Sequence, residues 1–172
     1  MNSEKGLLYN FTGNGKGKTS AALGIALRAL GWNWKIAVLQ FLKSDMETGE
    51  QRFFRKYFPD VIFEDLGLGL TNIPGDHSGY ASRGWEKARE MLQHFDGELL
   101  ILDELNVALA LGYLDPQEVV QALRNRQENL NVVITGRNSP PELLAISDLI
   151  SDISEIKHPF QRGVMACEGL DF

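Results

Sequence analysis

The sequence predicts an α/β domain with a mostly parallel sheet and helices on both of its faces. Short apolar runs alternate along the chain with segments of helical periodicity. The runs are apolar throughout rather than at every second residue, which is typical of parallel strands that helices cover from both sides. The 172 residues suit a single domain, 1–172, with a sizeable core.

A glycine-rich segment separates the first strand from the first helix. The strand is expected at 6–11 and the helix at 21–30, with Gly31 as its C-cap. Between them, TGNGKGKTS runs from Thr12 to Ser20, and a glycine-rich turn in this context is typical of a phosphate-binding P-loop. Glycines let backbone N–H groups approach an anion closely, and the helix adds its unpaired N–H groups and positive dipole end.

This segment contains the predicted phosphate site. Lys18 places a positive charge at the phosphates, and the hydroxyl of Thr19 suits Mg²⁺. The strict pattern has a glycine where this chain has Thr12, and the alternative is a turn that binds nothing. Two lysines among small residues serve no packing purpose, which favours the phosphate site. The predicted phosphate-binding residues are Gly13, Asn14, Gly15, Lys16, Gly17, Lys18, Thr19 and Ser20. The expected fold is therefore a three-layer P-loop fold of the RecA-like type.

The remaining elements follow from periodicity and from turn residues. A long loop, 67–79, contains five glycine and proline residues, and loops of this length are often functional. Asp115, Pro116 and Glu118 predict a helix start with a capping box. Strands are expected at 35–41, 61–64, 98–104 and 131–135, helices at 50–58, 80–95, 105–111, 115–128 and 139–147, and extended segments at 149–157 and 164–167.

Charged residues follow three of the predicted strands. Asp103 and Glu104 end the fourth strand, where carboxylates usually hold a nucleotide-bound Mg²⁺. They also suit a helix N-cap with a first-turn acid, and Glu104 suits a water-activating role in an ATPase. Arg137 follows the fifth strand as a phosphate contact or a surface ion-pair partner, and Lys43 follows the second. The carboxyl ends of parallel strands share one edge, so these residues are expected to face one site.

The overall composition narrows the class of protein. A net charge of -6 argues against a broad nucleic-acid or anionic-membrane surface. The single cysteine, Cys167, excludes an internal disulfide and is expected to be a small buried side chain. The chain has no apolar run of 18 residues and no room for a signal peptide before the first strand. The expected location is the cytoplasm.

Five blocks of sequence, in order along nearly the whole chain, carry a family resemblance. They read FTGNGKGKTSAALGIALRALG, VLQFLKSDMETGEQ, LLILDELNVALALGYLD, VVITGRNSPPELLAISDLIS and IKHPFQRGVMACEGLDF. Together they resemble the ATP:corrinoid adenosyltransferases of the CobA/CobO/BtuR type. The tight GNGKGKT loop belongs to that family's own pattern, so the missing first glycine is no departure from it.

The resemblance implies a reaction and a set of residue roles. A Co(I) corrinoid attacks the 5′-carbon of its cosubstrate ATP, forms a Co–C bond and releases triphosphate. By the family pattern, the loop from Gly13 to Thr19 wraps the phosphates, with the nucleotide reversed relative to P-loop hydrolases. Thr19 with Glu104 holds Mg²⁺ or Mn²⁺, and Asp103 is an outer or alternate ligand. Lys18 and Arg137 act by position and charge. The implied partners are a second copy in a homodimer and a flavoprotein reductant.

Two departures from the family fall on the corrinoid side. Better-known members carry G-F-T-W in the loop after the third strand, and their aromatic residues are thought to crowd the lower face of the corrinoid. Here Leu70 and Asn72 stand at those positions, and only about five residues precede the first strand. The alternative function is therefore an ATP-binding regulatory or interaction protein that has lost adenosylation. An ATP hydrolase or kinase is a weaker alternative, because the sequence identifies no positioned water or acceptor.

Overall fold

One sheet of six parallel strands forms the centre of the molecule. The computed structural model describes residues 5–42, 47–68 and 74–172. The strands are β1 (Leu8–Thr12), β2 (Ile36–Gln40), β3 (Ile62–Asp65), β4 (Leu99–Asp103), β5 (Asn131–Thr135) and β6 (Leu149–Asp152). Their order across the sheet is β3-β2-β4-β5-β1-β6, and every neighbouring pair is parallel. The carboxyl ends of all six strands therefore lie at one edge.

Helices cover both faces of this sheet. They are α1 (Lys18–Gly31), α2 (Gly49–Tyr57), α3 (His77–His94), α4 (Leu105–Ala110), α5 (Pro116–Arg124) and α6 (Pro141–Leu144), followed by a 3-10 turn at Pro159–Arg162. None of the helices in these described ranges is both long and apolar enough to cross a lipid bilayer. The predicted three-layer α/β architecture is confirmed.

Two apolar cores, one on each face, bury the four central strands almost entirely, while the edge strands β3 and β6 stay partly exposed. Leu99 and Ile101 of β4 join α1 and α2 on one face, while Leu100 and Leu102 join α3 to α6 on the other. Successive side chains of a strand point to opposite faces, so a strand covered on both sides is expected to be apolar at most positions. That requirement accounts for the unbroken apolar runs in the sequence.

The sheet order places β5 between β1 and β4. The strand that leads into the phosphate loop is thus separated by one strand from the strand that ends in Asp103. Thr135, the last residue of β5, lies in the gap between them. The crossovers that produce this order depend on packing, and the sequence pattern alone does not reveal it.

Several predicted boundaries are wrong because tertiary contacts decide them. Helix α5 ends at Arg124 rather than at 128. Its predicted capping box is absent: Asp115 accepts from the Gln117 N–H at 2.8 Å, while Glu118 accepts from Trp85 Nε1 at 3.2 Å. Helix α3 begins earlier than predicted, because the Asp76 carboxylate caps it by accepting from the Gly79 N–H.

The C-terminal segment also differs from its prediction. Of the two extended segments expected there, 149–157 contributes β6, the sixth strand of the sheet, whereas 164–167 belongs to no strand. Cys167 is exposed rather than buried, because the segment lies on the surface of the domain. This segment instead covers part of the phosphate loop.

Candidate functional site

The three glycines of the phosphate loop are required either by close packing or by backbone conformation. A Cβ on Gly13 would lie 2.5 Å from the Ile153 carbonyl oxygen, and one on Gly15 would lie 2.7 Å from that of Ser154. These two glycines therefore let the loop pack against the chain leaving β6. Gly17 has open space around it but a φ of 108°, which strongly favours glycine.

Helix α1 begins without a side-chain cap. Gly17 is its N-cap residue, no side chain accepts from the first N–H groups, and the first turn contains no acidic residue. Uncapped N–H groups and the positive end of the helix dipole together attract an anion. The start of α1 is therefore built as the sequence predicts for a phosphate site.

Lys18 is buried beneath the loop and holds it in shape. Its ammonium group donates to the carbonyl oxygens of Gly13 at 2.8 Å and Gly15 at 2.6 Å. Burial lowers the pKa of Lys18 below its ordinary value of 10.5, with Glu104 opposing the shift and Arg137 reinforcing it. An ammonium has three donors, so two loop contacts leave one donor for a further acceptor in the cavity that Lys18 lines.

Asp103 is fully buried at the end of β4 and collects three hydrogen bonds. Its Oδ1 accepts from the hydroxyls of Thr19, at 2.8 Å, and Thr135, at 2.7 Å. Its Oδ2 accepts from Gln40 Nε2 at 2.9 Å. A buried carboxylate is costly unless it is hydrogen-bonded in this way. Asp103 thereby joins the start of α1 to the ends of β2, β4 and β5.

The same network extends into α2. Gln51 Nε2 donates to Gln40 Oε1 at 3.1 Å. Gln51 also closes a capping box with Thr48 at the start of that helix. The T-G-E-Q sequence at 48–51 carried this capping signal, but the sequence analysis missed it. The start of α2 is therefore tied to Asp103 through two glutamine side chains.

Glu104 has an unusual backbone conformation. Its φ of 62° lies in the left-handed region, and its N–H donates to the Thr135 hydroxyl at 2.9 Å. Such a conformation costs roughly 1–3 kcal/mol in a non-glycine residue and is concentrated at functional sites. Glu104 Oε2 would lie 3.1 Å from a Cβ at Gly136, so the carboxylate faces the loop that carries Arg137.

A cavity of about 470 Å³ lies over these groups at the carboxyl edge of the sheet. It brings together most of the predicted residues: six of the eight from the loop, together with Glu104 and Arg137. Gly13 and Asn14 do not line it, and Asp103 lies beneath it, bonded to Thr19. The lining residues are Gly15, Lys16, Gly17, Lys18, Thr19, Ser20, Leu23, Gly49, Glu50, Glu104, Arg137, Gly169, Leu170, Asp171 and Phe172. Lys43, Leu70 and Asn72 lie outside the described residues.

The C-terminal segment forms one wall of the cavity, which the sequence analysis did not predict. The Asp171 carboxylate pairs with Lys16 of the loop and accepts from the Cys167 N–H at 2.7 Å. Glu168 lies 3.8 Å from Arg52 of α2. The GLDF block contains Asp171 but shows no periodicity or motif that predicts such a contact. A phosphate chain bound in the cavity would compete with the Asp171 carboxylate for Lys16.

The oxygen atoms at this edge suit a hard cation. Thr19 offers a hydroxyl, and Asp103 and Glu104 offer carboxylates. The described part of the chain holds no group of three or more His, Cys, Asp or Glu side chains arranged as a metal cage. Mg²⁺ is commonly bound by one or two protein ligands with phosphate oxygens and water, so these residues fit Mg²⁺.

Comparison with known proteins gives one consistent family. Residues 4–172 match the sequence profile of the family described as ATP:corrinoid adenosyltransferase BtuR/CobO/CobP. A corrinoid adenosyltransferase of Sinorhizobium sp is 39% identical over 98% of this chain and 81% of its own. Those of Pseudomonas aeruginosa and Escherichia coli are each 38% identical over 98% of this chain and 85% and 87% of theirs.

Solved structures show the same kind of fold. The flagellar accessory protein FlaH of Methanocaldococcus jannaschii superimposes with a TM-score of 0.56 at 12% identity, over 83% of this chain and 67% of its own. A KaiC-like protein of Pyrococcus horikoshii gives 0.54 at 14% identity, over 90% and 75%. At these identities the likeness supports the P-loop α/β fold alone.

The Asp171–Lys16 pair yields a first prediction. Asp171→Asn removes the negative charge while keeping the shape of the side chain. We expect inorganic triphosphate to bind about two- to fivefold more tightly, because partly exposed ion pairs are worth roughly 0.2–1 kcal/mol. Titration calorimetry with triphosphate measures this change.

Glu168→Gln is the matched control, since it removes the same charge from the same segment without touching the loop. An equal gain in both variants would mean that only net charge matters and would contradict a specific competition at Lys16.

Proposed function

Because the chain belongs to the ATP:corrinoid adenosyltransferase family, we propose that its P-loop holds the triphosphate of ATP while the 5′-deoxyadenosyl group passes to a Co(I) corrinoid. The family match over residues 4–172 carries this conclusion. ATP and a corrinoid are accordingly its substrates, and the chain is an enzyme. In this reaction the P-loop binds the triphosphate as the leaving group. In a hydrolase or kinase it would bind a γ-phosphate that itself reacts.

The chemical step is a displacement at carbon. The Co(I) centre donates an electron pair to the 5′-carbon of ATP and forms the Co–C bond. The C5′–O bond breaks, and its electron pair leaves with the triphosphate. No water is activated and no proton is removed from the nucleophile, so the step needs no general base. The protein contributes by positioning the reactants and by stabilising charge on the leaving group.

Four features of the cavity support triphosphate binding. The uncapped start of α1 supplies N–H groups, and Lys18 lies beneath the loop. Lys16 and Arg137 add two further positive charges along the cavity wall. Preorganised donors of this kind, aimed at developing charge, are worth roughly 100- to 1000-fold in rate each. The proposed ATP-binding residues remain the loop from Gly13 to Ser20, and Lys18 and Arg137 are the residues proposed to stabilise charge.

Mg²⁺, or Mn²⁺ in its place, is the proposed metal, with Thr19 and Glu104 as ligands. The Thr19 hydroxyl donates its proton to Asp103, which leaves its lone pairs directed away from Asp103 and towards the cavity. Asp103 itself is fully buried and shared among three donors, which favours the outer position for it. When bound, the metal would neutralise charge on the phosphates.

Further aspects of the function are proposed by analogy with the family. They are a homodimer, a flavoprotein that reduces the corrinoid to Co(I), and a cytoplasmic location. The chain is proposed to act as one domain over residues 1–172. Leu70 and Asn72 are proposed to face the corrinoid.

Adenosylation is tested directly with the purified protein. We expect ATP, Mg²⁺ and chemically reduced cobalamin to give a Co–C bond, followed by visible absorbance, with triphosphate as the second product. Lys18→Ala should lower kcat/KM by about 100-fold or more, because it removes a buried charge at the leaving group.

Other outcomes of this assay would contradict the proposal. Intact ATP binding with no spectral change would indicate an ATP-binding regulatory protein that has lost adenosylation. Release of single phosphates would indicate a hydrolase.

The metal ligands are tested through Thr19. Thr19→Val removes the hydroxyl at nearly constant volume, whereas Thr19→Ser keeps it. We expect Thr19→Val to raise the Mg²⁺ concentration required for tight ATP binding by roughly tenfold or more, and Thr19→Ser to stay near wild type. Calorimetric titrations of ATP at several Mg²⁺ concentrations measure this. An unchanged Mg²⁺ requirement in Thr19→Val would remove Thr19 from the ligand set.

The altered loop gives a prediction about reduction. Asn72→Trp restores an aromatic residue at the position where better-known members of the family carry one. If that residue assists reduction, turnover from cob(II)alamin with a flavoprotein reductant should rise, while turnover from preformed Co(I) should stay nearly constant. Parallel assays with the two forms of cobalamin measure both rates. Equal gains in the two assays would show that Asn72 affects another step.

A further inference from the structure

The loop that carries Arg137 is held by buried side-chain amides. Asn106 Nδ2, from α4, donates to the Gly136 carbonyl oxygen at 3.0 Å and to Asn10 Oδ1 at 2.9 Å. Asn10 Nδ2, from β1, donates to the Ser139 hydroxyl at 3.0 Å. Both asparagines are fully buried. The two amides therefore hold the loop 136–139 at both ends, through Gly136 and Ser139.

The direction of the Asn106 amide is fixed by chemistry. A carbonyl oxygen can only accept, so the group facing Gly136 must be the NH₂. This orientation leaves Asn106 Oδ1 buried without a hydrogen-bond partner in the described part of the chain. An orphaned buried acceptor costs free energy and calls for an explanation. The hydrogen bond from Asn106 to the Gly136 carbonyl oxygen is kept despite that cost.

The backbone of this loop combines an unusual conformation with close packing against α4. Gly136 has a φ of 127° and Asn138 a φ of 56°, both in the left-handed region. A Cβ on Gly136 would lie 2.9 Å from the Asn106 Cβ and 3.0 Å from the Val107 nitrogen. The loop is thus pressed against the start of α4, directly beside Asn106.

Arg137 is the only cation on this loop, and it lines the cavity with Lys18 and Glu104. Its side chain is exposed, and none of the described contacts fixes its guanidinium by a side-chain hydrogen bond. The anchored backbone on either side therefore fixes the position of the Arg137 Cα, from which the side chain extends. A long arginine side chain loses much conformational freedom on binding, so a fixed starting point improves its contact with an anion.

We propose that Asn106 and Asn10 are positioning residues that fix Arg137 against the triphosphate. They touch neither substrate; they act through the loop 136–139. The proposal rests on the adenosyltransferase function, since that function places triphosphate in the cavity. It assigns a role to a buried pair that the phosphate loop and the proposed metal ligands do not use.

A double-mutant cycle tests the proposal with inorganic triphosphate as the probe. The proteins are the wild type, Asn106→Ala, Arg137→Ala and the double variant, and the Kd is measured by calorimetry. We expect Asn106→Ala to raise the Kd about tenfold, equivalent to about 1.4 kcal/mol. In the Arg137→Ala background it should change the Kd by less than about twofold, because the coupled residue is gone. In steady-state assays, Asn106→Ala should raise KM for ATP alongside this Kd.

Asn131→Ala is the matched control. Asn131 lies at the opposite end of β5, where it accepts from the Leu7 N–H and donates to the Glu98 carbonyl, each at 3.0 Å. We expect its removal to lower the Tm without changing the Kd for triphosphate. A Kd raised equally by Asn131→Ala would mean that general loss of stability explains the Asn106 effect, and would overturn the proposal.

Ser139→Ala keeps the test decisive should Asn106→Ala fail to fold. Ser139 is only half-buried, and its hydroxyl accepts from Asn10. We expect a rise of about threefold in Kd, again abolished by Arg137→Ala. If the Kd changes of the single variants simply add in either double-mutant cycle, the positioning role is overturned. The assignment of Arg137 to the triphosphate site would then still stand. A wild-type Kd in Arg137→Ala would instead remove Arg137 from the triphosphate site and overturn both that assignment and the inference.

Discussion

The buried carboxylate of Asp103 is the constraint on which the carboxyl edge of the sheet depends. A fully buried charge must be satisfied locally, and here Thr19, Thr135 and Gln40 satisfy it with three hydrogen bonds. Those donors come from the start of α1 and from the ends of β5 and β2. The phosphate loop, the Arg137 loop and the proposed metal ligands are therefore set relative to a single group.

The two lysines of the phosphate loop have different kinds of partner. Lys18 donates to loop carbonyl oxygens, and Lys16 pairs with Asp171 of the C-terminal segment. The Lys18 contacts give a buried ammonium group two acceptors, whereas Lys16 is exposed. In the proposed function, a triphosphate would add to the Lys18 contacts and would compete with Asp171 for Lys16.

The reaction proposed for this site requires no general base. In adenosyl transfer the nucleophile is the corrinoid cobalt, so the protein needs to position the reactants and stabilise charge. Glu104 belongs to that second task in the proposed function, as a metal ligand beside the loop. The same carboxylate in a hydrolase would orient water.

The sequence by itself determined the layers of the fold and the composition of the phosphate site. Unbroken apolar runs required a sheet covered on both faces, and the glycine-rich turn before α1 marked the anion site, because both signals are local. Only the tertiary structure decided that β5 separates β1 from β4 and that Thr135 bridges to Asp103. Only it placed Asp171 on Lys16 and Asn106 beneath the Arg137 loop. These contacts join residues far apart in the chain, and their geometry arises from crossovers and packing that no local pattern encodes.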